Sequence, residues 1–176
     1  TAVSPNAGVL FKVSPDASVY ASYAKSFGNS NGSALTFDGT RPPPQSGVQY
    51  EVGAKAALMR QRLTTSLTVF DLRQRNRMTA DLDHVGFSIP VGEVRNRGVE
   101  FDVAGQMSSR VSVIASYTYA DARITKDNTV GANATLGKRM NGIPVHSSSL
   151  WLKYGPGAGA ERGWSVGAGL SLNGLR

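Results

Sequence analysis

From Val111 to Ala122 the chain places Val111, Val113, Ala115, Tyr117 and Tyr119 on one parity and Ser112, Ser116 and Thr118 on the other. A period of two marks a strand with one apolar and one polar face, whereas a helix needs a period near 3.6. The segment is about twelve residues long, above the roughly five or six of an average strand and close to the roughly nine to eleven of a tilted strand that crosses a bilayer. The design recurs along the chain. Further strands are predicted at Gly8 to Val13, Ser18 to Ser26, Tyr50 to Leu58, from Arg62 onward, Val94 to Gln106, Val145 to Tyr154, and Trp164 to Leu172. In the last, Trp164, Val166, Ala168, Leu170 and Leu172 alternate with Ser165, Gly167, Gly169 and Ser171, the cleanest alternation in the sequence. In the fourth, Leu63, Leu67 and Val69 share one parity while Phe70 and Leu72 take the other. That change of phase near Val69 predicts a β-bulge.

The connections carry a second pattern. Ser14-Pro15-Asp16, Met59-Arg60-Gln61 and Met107 to Arg110 are short, whereas Phe27 to Ser46, Asn76 to Pro90 and Thr125 to Gly142 are long, and the two kinds alternate. Gly155 to Gly163 closes the series as a shorter glycine-rich turn. Outer-membrane barrels have short periplasmic turns and longer extracellular loops, so the rhythm predicts an all-β, antiparallel transmembrane barrel architecture with about eight strands present. The three long connections are then extracellular. Single cysteines at Asn31 and Asn133 would report that side, and one at Ser109 the other. With the first strand descending and the eighth ascending, both ends point outward, which predicts an internal piece of a larger barrel. A complete eight-stranded barrel with a structural or adhesive role, its ends periplasmic, is the alternative. A soluble sandwich would instead bring the apolar faces together in a dry core.

Composition narrows the choice. The chain has 176 residues, 40% hydrophobic and 18% charged, with 20 glycines and no cysteine. No run approaches the roughly 18 apolar residues of a membrane helix, and an alternating barrel keeps its average hydropathy near that of soluble proteins. Without cysteine there are no disulfides and no thiolate chemistry. A net charge of +7 invites a nucleic-acid reading, yet the basic residues are scattered and form no recognition motif. No nucleic-acid partner is expected. His84 and His146 stand without neighbours at metal-ligand spacing, and no Gly-x-Ser-x-Gly, acid/base pair or phosphate-binding loop occurs. No catalytic site, metal or cofactor is predicted, and an enzyme is not expected. Glu51, Lys55, Glu100 and Asp102 oppose the apolar rows, as in a wet or plugged lumen, or on an ordinary solvated face. Arg73, Arg75 and Arg77, with Arg95 and Arg97, gather near the outer strand ends, where they would face lipopolysaccharide phosphates or, through the change of phase, the lumen, or else form a merely solvated rim.

Several stretches resemble the carboxy-terminal half of TonB-dependent siderophore receptors. Gln49-Tyr50-Glu51-Val52-Gly53-Ala54-Lys55 is similar to that family's aromatic-Glu-x-Gly-x-Lys strand, and Arg95-Asn96-Arg97-Gly98-Val99-Glu100 to its Arg-x-x-Gly-x-Glu. Phe70 with Asn76, Tyr117 to Ala122, Gly137-Lys138-Arg139 followed by Gly142 to His146, and Leu150 to Tyr154 follow in the family's order. The resemblance implies a barrel of about 22 strands around an amino-terminal plug, in the bacterial outer membrane, importing ferric siderophores with energy from the TonB complex. It further implies that residues 1–176 are a partial barrel domain, without the plug, the TonB-contacting region or the final strands. Ligand contacts in the family come from variable plug and loop side chains, so no ligand-binding residue is assigned to a numbered position.

Overall fold

The computed structural model describes residues 3–28, 35–81, 83–127, 134–156 and 163–174. Eight antiparallel strands form one sheet in chain order: β1 (Asn6–Ser14), β2 (Ala17–Gly28), β3 (Gln45–Leu58), β4 (Leu63–Ala80), β5 (Ser88–Gln106), β6 (Val111–Lys126), β7 (His146–Tyr154) and β8 (Val166–Asn173). Each strand pairs with its sequence neighbours, and among the described residues β1 and β8 do not pair. A closed eight-stranded barrel needs that pairing, so the structure does not support it. Asn31, Asn133 and the centre of the Gly155 to Gly163 turn lie outside the described residues.

The strands are longer than the sequence pattern indicated. β4 has 18 residues and β5 has 19, so the segment from Asn76 to Pro90, read as a long connection or as one whose start continues the strand, is strand at both ends and the connection shrinks to residues 81–87. β3 likewise begins at Gln45 rather than Tyr50. The alternation of short and long connections survives, because β2–β3 and β6–β7 still span residues 29–44 and 127–145.

Register sorts the side chains into two faces. One cross-strand row runs Phe11, Val19, Ala54, Leu67, Phe101, Tyr117, Ser148 and Leu172. The next row on the opposite face runs Lys12, Ser18, Lys55, Ser66, Asp102, Ser116, Ser149 and Ser171. The first face is apolar and left open: Val52, Leu67, Val69, Leu170 and Leu172 are all about half exposed or more. Water would penalise such a surface by about 25 cal/mol per Å², and a lipid environment removes the penalty. The polar face is knitted across strands instead. Tyr20 Oη bonds Thr68 Oγ1 at 2.8 Å, Ser22 Oγ donates to Glu51, and Ser116 meets Ser149 at 2.7 Å.

Glycines on the polar face make room for rings. Tyr20 lies over Gly53, with ring atoms 2.5 Å from where a Cβ would stand. Phe70 covers Gly98 at 2.8 Å and Trp151 covers Gly169 at 2.5 Å in the same sense. Lys55 Nζ then stands 5.1 Å from the Tyr20 ring centroid, within cation–π range. The glycines of both sequence motifs therefore carry a spatial requirement: Gly53 seats the Tyr20 ring, and Gly98 has the Tyr119 backbone oxygen against it with the Phe70 ring beyond.

The bulge expected near Val69 is absent. β3 and β4 stay in one register from Ser46↔Arg75 to Leu58↔Leu63, and β4 and β5 hold theirs past the same point. Phe70 and Leu72 belong to the polar-side face because that face itself turns apolar toward the long connections. There Val94 and Ile124 are buried with Met140 packed against them, and Ala120 and Ala122 are buried beside them. Register shifts occur elsewhere, between Glu93 and Val94, where β6 contributes one extra residue, and between Lys12 and Ser14 at the β1–β2 turn.

Candidate functional site

The other face changes in the opposite way at the same height. Above the row Val52, Val69, Val99, Tyr119 come Tyr50, Asp71, Arg97, Asp121, then Val48, Arg73, Arg95, Arg123. The next row carries Arg75, Glu93 and Lys126. Arg73, Arg75, Arg95 and Arg97 thus project on the apolar side, beyond its apolar band, which resolves the two orientations left open by the sequence. Arg77 is set apart: Asn76 before it takes φ 58°, and the guanidinium Nη1 lies 3.5 Å from Gln74 Oε1.

Each carboxylate of this rim seats several cations. Asp71 accepts from Arg95 Nε at 2.9 Å and pairs with Arg73 at 3.5 Å. Glu93 holds Arg75 at 2.9 Å and Lys126 at 3.9 Å. Asp121 holds Arg123 at 2.9 Å, Arg139 at 3.2 Å and Arg97 at 3.7 Å. Seven cations stand against three carboxylates, an excess of four positive charges. The carboxylates lie beneath, 8 to 26% exposed, and the cations above, 34 to 65% exposed. The surface presented outward is therefore cationic, and each guanidinium keeps donors free for an anion because it carries five.

Arg139 comes from the β6–β7 connection, which runs alongside β6. Gly137 N donates to Ile124 O at 2.8 Å, Ile124 N to Lys138 O at 3.1 Å, and Met140 N to Ala122 O at 2.9 Å. Asp71, Glu93 and Arg123 were not singled out from the sequence, and Asp121 and Arg139 entered only within stretches that carry the family resemblance, with no role of their own. A signal was present: an acid two residues before an arginine recurs as Asp71-x-Arg73, Glu93-x-Arg95 and Asp121-x-Arg123 on three consecutive strands.

Two long connections meet in a second cluster. Phe37 stacks on the His84 imidazole with centroids 3.6 Å apart and meets Phe87 edge-on at 5.5 Å. Asp81 Oδ1 accepts the Asp83 N–H at 2.9 Å, Asp81 Oδ2 lies 2.9 Å from His84 Nδ1, and Ser88 N donates to Leu35 O at 2.8 Å. The bond from His84, assisted by the backbone N–H groups, holds the Asp81 carboxyl below the usual carboxylate range. Thr40 does the same for Asp38. His84 thus serves a loop-to-loop contact, and His146 lies on the apolar side with Nδ1 2.9 Å from Tyr117 Oη. Aromatic side chains edge the apolar band at both ends, Tyr23 with Tyr50 toward the long connections and Tyr154 with Trp164 toward the short ones. Among the described residues no group of three His, Asp or Glu could hold a metal ion.

Known proteins share this wall. The family described as TonB dependent receptor-like, beta-barrel, matches residues 1–176. The chain is 33% identical over 175 residues to the metal-pseudopaline receptor CntO of Pseudomonas aeruginosa, covering 99% of this chain and 24% of that protein. It is 35% identical over 162 residues to the ferrichrome outer membrane transporter/phage receptor of Escherichia coli K12, covering 92% of this chain and 21% of the relative. In fold it is similar to the ferripyoverdine receptor of the Pseudomonas aeruginosa outer membrane, with TM-score 0.74 and 23% identity over 96% of this chain and 22% of that one. The chain thus spans about a quarter of the length of these relatives, at 24%, 21% and 22%. With a match along its whole length and an all-antiparallel wall of one apolar and one polar face, the chain belongs to the TonB-dependent receptor β-barrel family of the outer membrane.

Proposed function

We propose that these residues form part of the barrel wall of a receptor that imports ferric siderophores, or similar metal–chelator complexes, into the periplasm. The match of the whole chain to the receptor barrel family carries this reading. Its relatives, a metal-pseudopaline receptor and a ferrichrome transporter, are named for such cargo. The apolar face meets lipid, and the polar face, with Glu51, Lys55, Glu100 and Asp102, lines the lumen. The long connections, including the Phe37–His84–Phe87 contact, face the medium and take part in ligand capture. TonB supplies the energy through regions of the receptor other than these residues, and neither catalysis nor nucleic-acid binding has a part in the work. The outward arginines contact the phosphates of lipopolysaccharide, which the cationic layer over buried carboxylates supports.

The full-length receptor tests this in iron-starved cells, by uptake of radiolabelled iron presented on a panel of siderophores. Uptake should require both the receptor and TonB for at least one chelate, and unchanged uptake without TonB would contradict the proposal. For sidedness, a cysteine at Val85, 95% exposed on the β4–β5 connection, should react with an impermeant reagent on intact cells while one at Ser109 does not. The reverse pattern would invert the topology.

A further inference from the structure

We propose that the rim clusters around Asp71 and Asp121 together hold one lipid headgroup bearing two phosphates, and that the bound headgroup clamps the β6–β7 connection onto the barrel wall. The inference rests on the readings that the apolar face meets lipid and that the outward arginines contact lipid phosphates, and goes beyond them by dividing the site into two lobes and assigning its effect on the connection.

The rim has two lobes. In the first, Asp71 seats Arg73 and Arg95, and in the second, Asp121 seats Arg97, Arg123 and Arg139. Asp71 and Asp121 stand in one cross-strand row with Arg97 between them, which separates the lobes by two strand spacings, roughly 10 Å. That suits two anionic groups on one headgroup better than a single phosphate. Five cations against two carboxylates leave an excess of three positive charges. Two phosphates neutralise most of it.

The position selects a lipid over free phosphate. The row next below is Val69, Val99 and Tyr119, one step of two residues, or roughly 7 Å, toward the apolar band. An acyl chain lying on that band brings its own headgroup to the arginines. A free anion gains nothing from the apolar row, and in plain water its contacts with half-exposed guanidiniums are screened.

Loop clamping follows from where Arg139 comes from. It is the one cation of the second lobe that the barrel strands do not supply, and three backbone hydrogen bonds at Gly137, Ile124 and Met140 bring it there. Three guanidiniums around a single carboxylate repel one another. A phosphate lowers that repulsion only while the connection is docked, so by linkage it stabilises the docked state. The medium-facing loop thereby reads the composition of the leaflet beneath it.

The test uses the full-length receptor in phosphatidylcholine vesicles, alone or with a minority of a glycolipid carrying two phosphates, one phosphate or none. Amide hydrogen exchange is read at Gly137 and Met140. Exchange should slow about tenfold with the two-phosphate lipid, distinctly less with one phosphate, and not at all with the phosphate-free lipid or with millimolar inorganic phosphate in plain vesicles. Arg73→Gln alters the distant lobe without touching the connection, and should reduce the two-phosphate effect to the one-phosphate level, with partial recovery in Arg73→Lys. Equal slowing by both phospholipids, or full slowing in Arg73→Gln, would overturn the two-lobed site, and equal exchange in all vesicles would overturn the clamp. A bimane on a cysteine at Val99 reports separately on the underlying reading through quenching by brominated lipid. Quenching without slowing refutes this inference alone, whereas no quenching removes the lipid-facing wall itself.

Discussion

Gly98→Ala places a methyl group where the sheet has no room. A Cβ there would stand 1.9 Å from Tyr119 O and 2.8 Å from Phe70 Cζ. The oxygen belongs to the backbone of β6, which pairs with β5 through Gly98↔Ala120 and Val99↔Tyr119, so relief requires moving one strand against its partner. Overpacking costs about 1 to 3 kcal/mol and a lost ladder hydrogen bond about 1 more, giving about 3 kcal/mol as the expected destabilisation. Gly169→Ala is the control. Its nearest obstacle is the Trp151 ring, Cε3 at 2.5 Å, while the nearest backbone atom, Leu150 O, is 3.3 Å away. Removing the ring in a Trp151→Ala background should therefore recover most of the Gly169→Ala loss. Phe70→Ala should recover little for Gly98→Ala, because the backbone oxygen remains. Denaturant unfolding of the full-length receptor in lipid vesicles, run as two double-mutant cycles, measures both. A Gly98→Ala variant within about 0.5 kcal/mol of the parent, or one fully rescued by Phe70→Ala, would refute the reasoning.

Three further outcomes are expected. In β8, Ala168→Arg should cost about 2 to 4 kcal/mol near mid-membrane while Ser171→Arg on the polar face costs much less, and Ala168→Leu should be nearly neutral; all three are read by unfolding in vesicles. Met59, Arg60 and Gln61 all have left-handed φ, at 54°, 59° and 64°, so Arg60→Gly should be neutral or raise stability by up to about 1 kcal/mol, and a loss of that size would contradict the strain. Because the Asp81 carboxyl titrates below its ordinary range, its bond to His84 stabilises the loop contact above that range and is lost as pH falls through the lowered value. Exchange at the Ser88 amide, bonded to Leu35 O, should accelerate on acidification below about pH 4 after correction for intrinsic rates, and Asp81→Asn should remove the dependence.

The wall was legible in sequence wherever each face keeps one polarity. Trp164 to Leu172 and Val111 to Tyr119 alternate cleanly because one side meets lipid and the other polar neighbours, and the unequal connections added the topology. The reading failed where the faces exchange polarity. Phe70 and Leu72 share a face with Ala120, Ala122, Val94 and Ile124, while Asp71 and Arg73 take the positions that Leu67 and Val69 hold lower down. Such an inversion at constant register shifts the hydrophobic parity just as an inserted residue would, and a single sequence does not separate the two. Strand ends were missed for a related reason: in Gln45 to Gln49, Asn76 to Ala80 and Ser88 to Val91 the apolar–polar alternation lapses, and backbone pairing alone sustains the strand. The family motifs could be read as letters, but not the contacts that explain their glycines, the Tyr20 ring over Gly53 and the Tyr119 backbone oxygen at Gly98. Asp121 with Arg97 and Arg139, and Phe37 with His84, are contacts between separate elements, which local periodicity does not encode.

The central claim is that one face of this wall meets lipid and the other an aqueous lumen, without interruption at Val69. Nitroxide labels placed singly at Leu67, Thr68, Val69 and Phe70 of the full-length receptor in vesicles test it through collision with oxygen, which concentrates in lipid, and with a water-soluble nickel complex. Leu67 and Val69 should favour oxygen, and Thr68 and Phe70 should not. Two adjacent positions of like accessibility across Val69 would restore the bulge, and no alternation at all would contradict the two-faced wall.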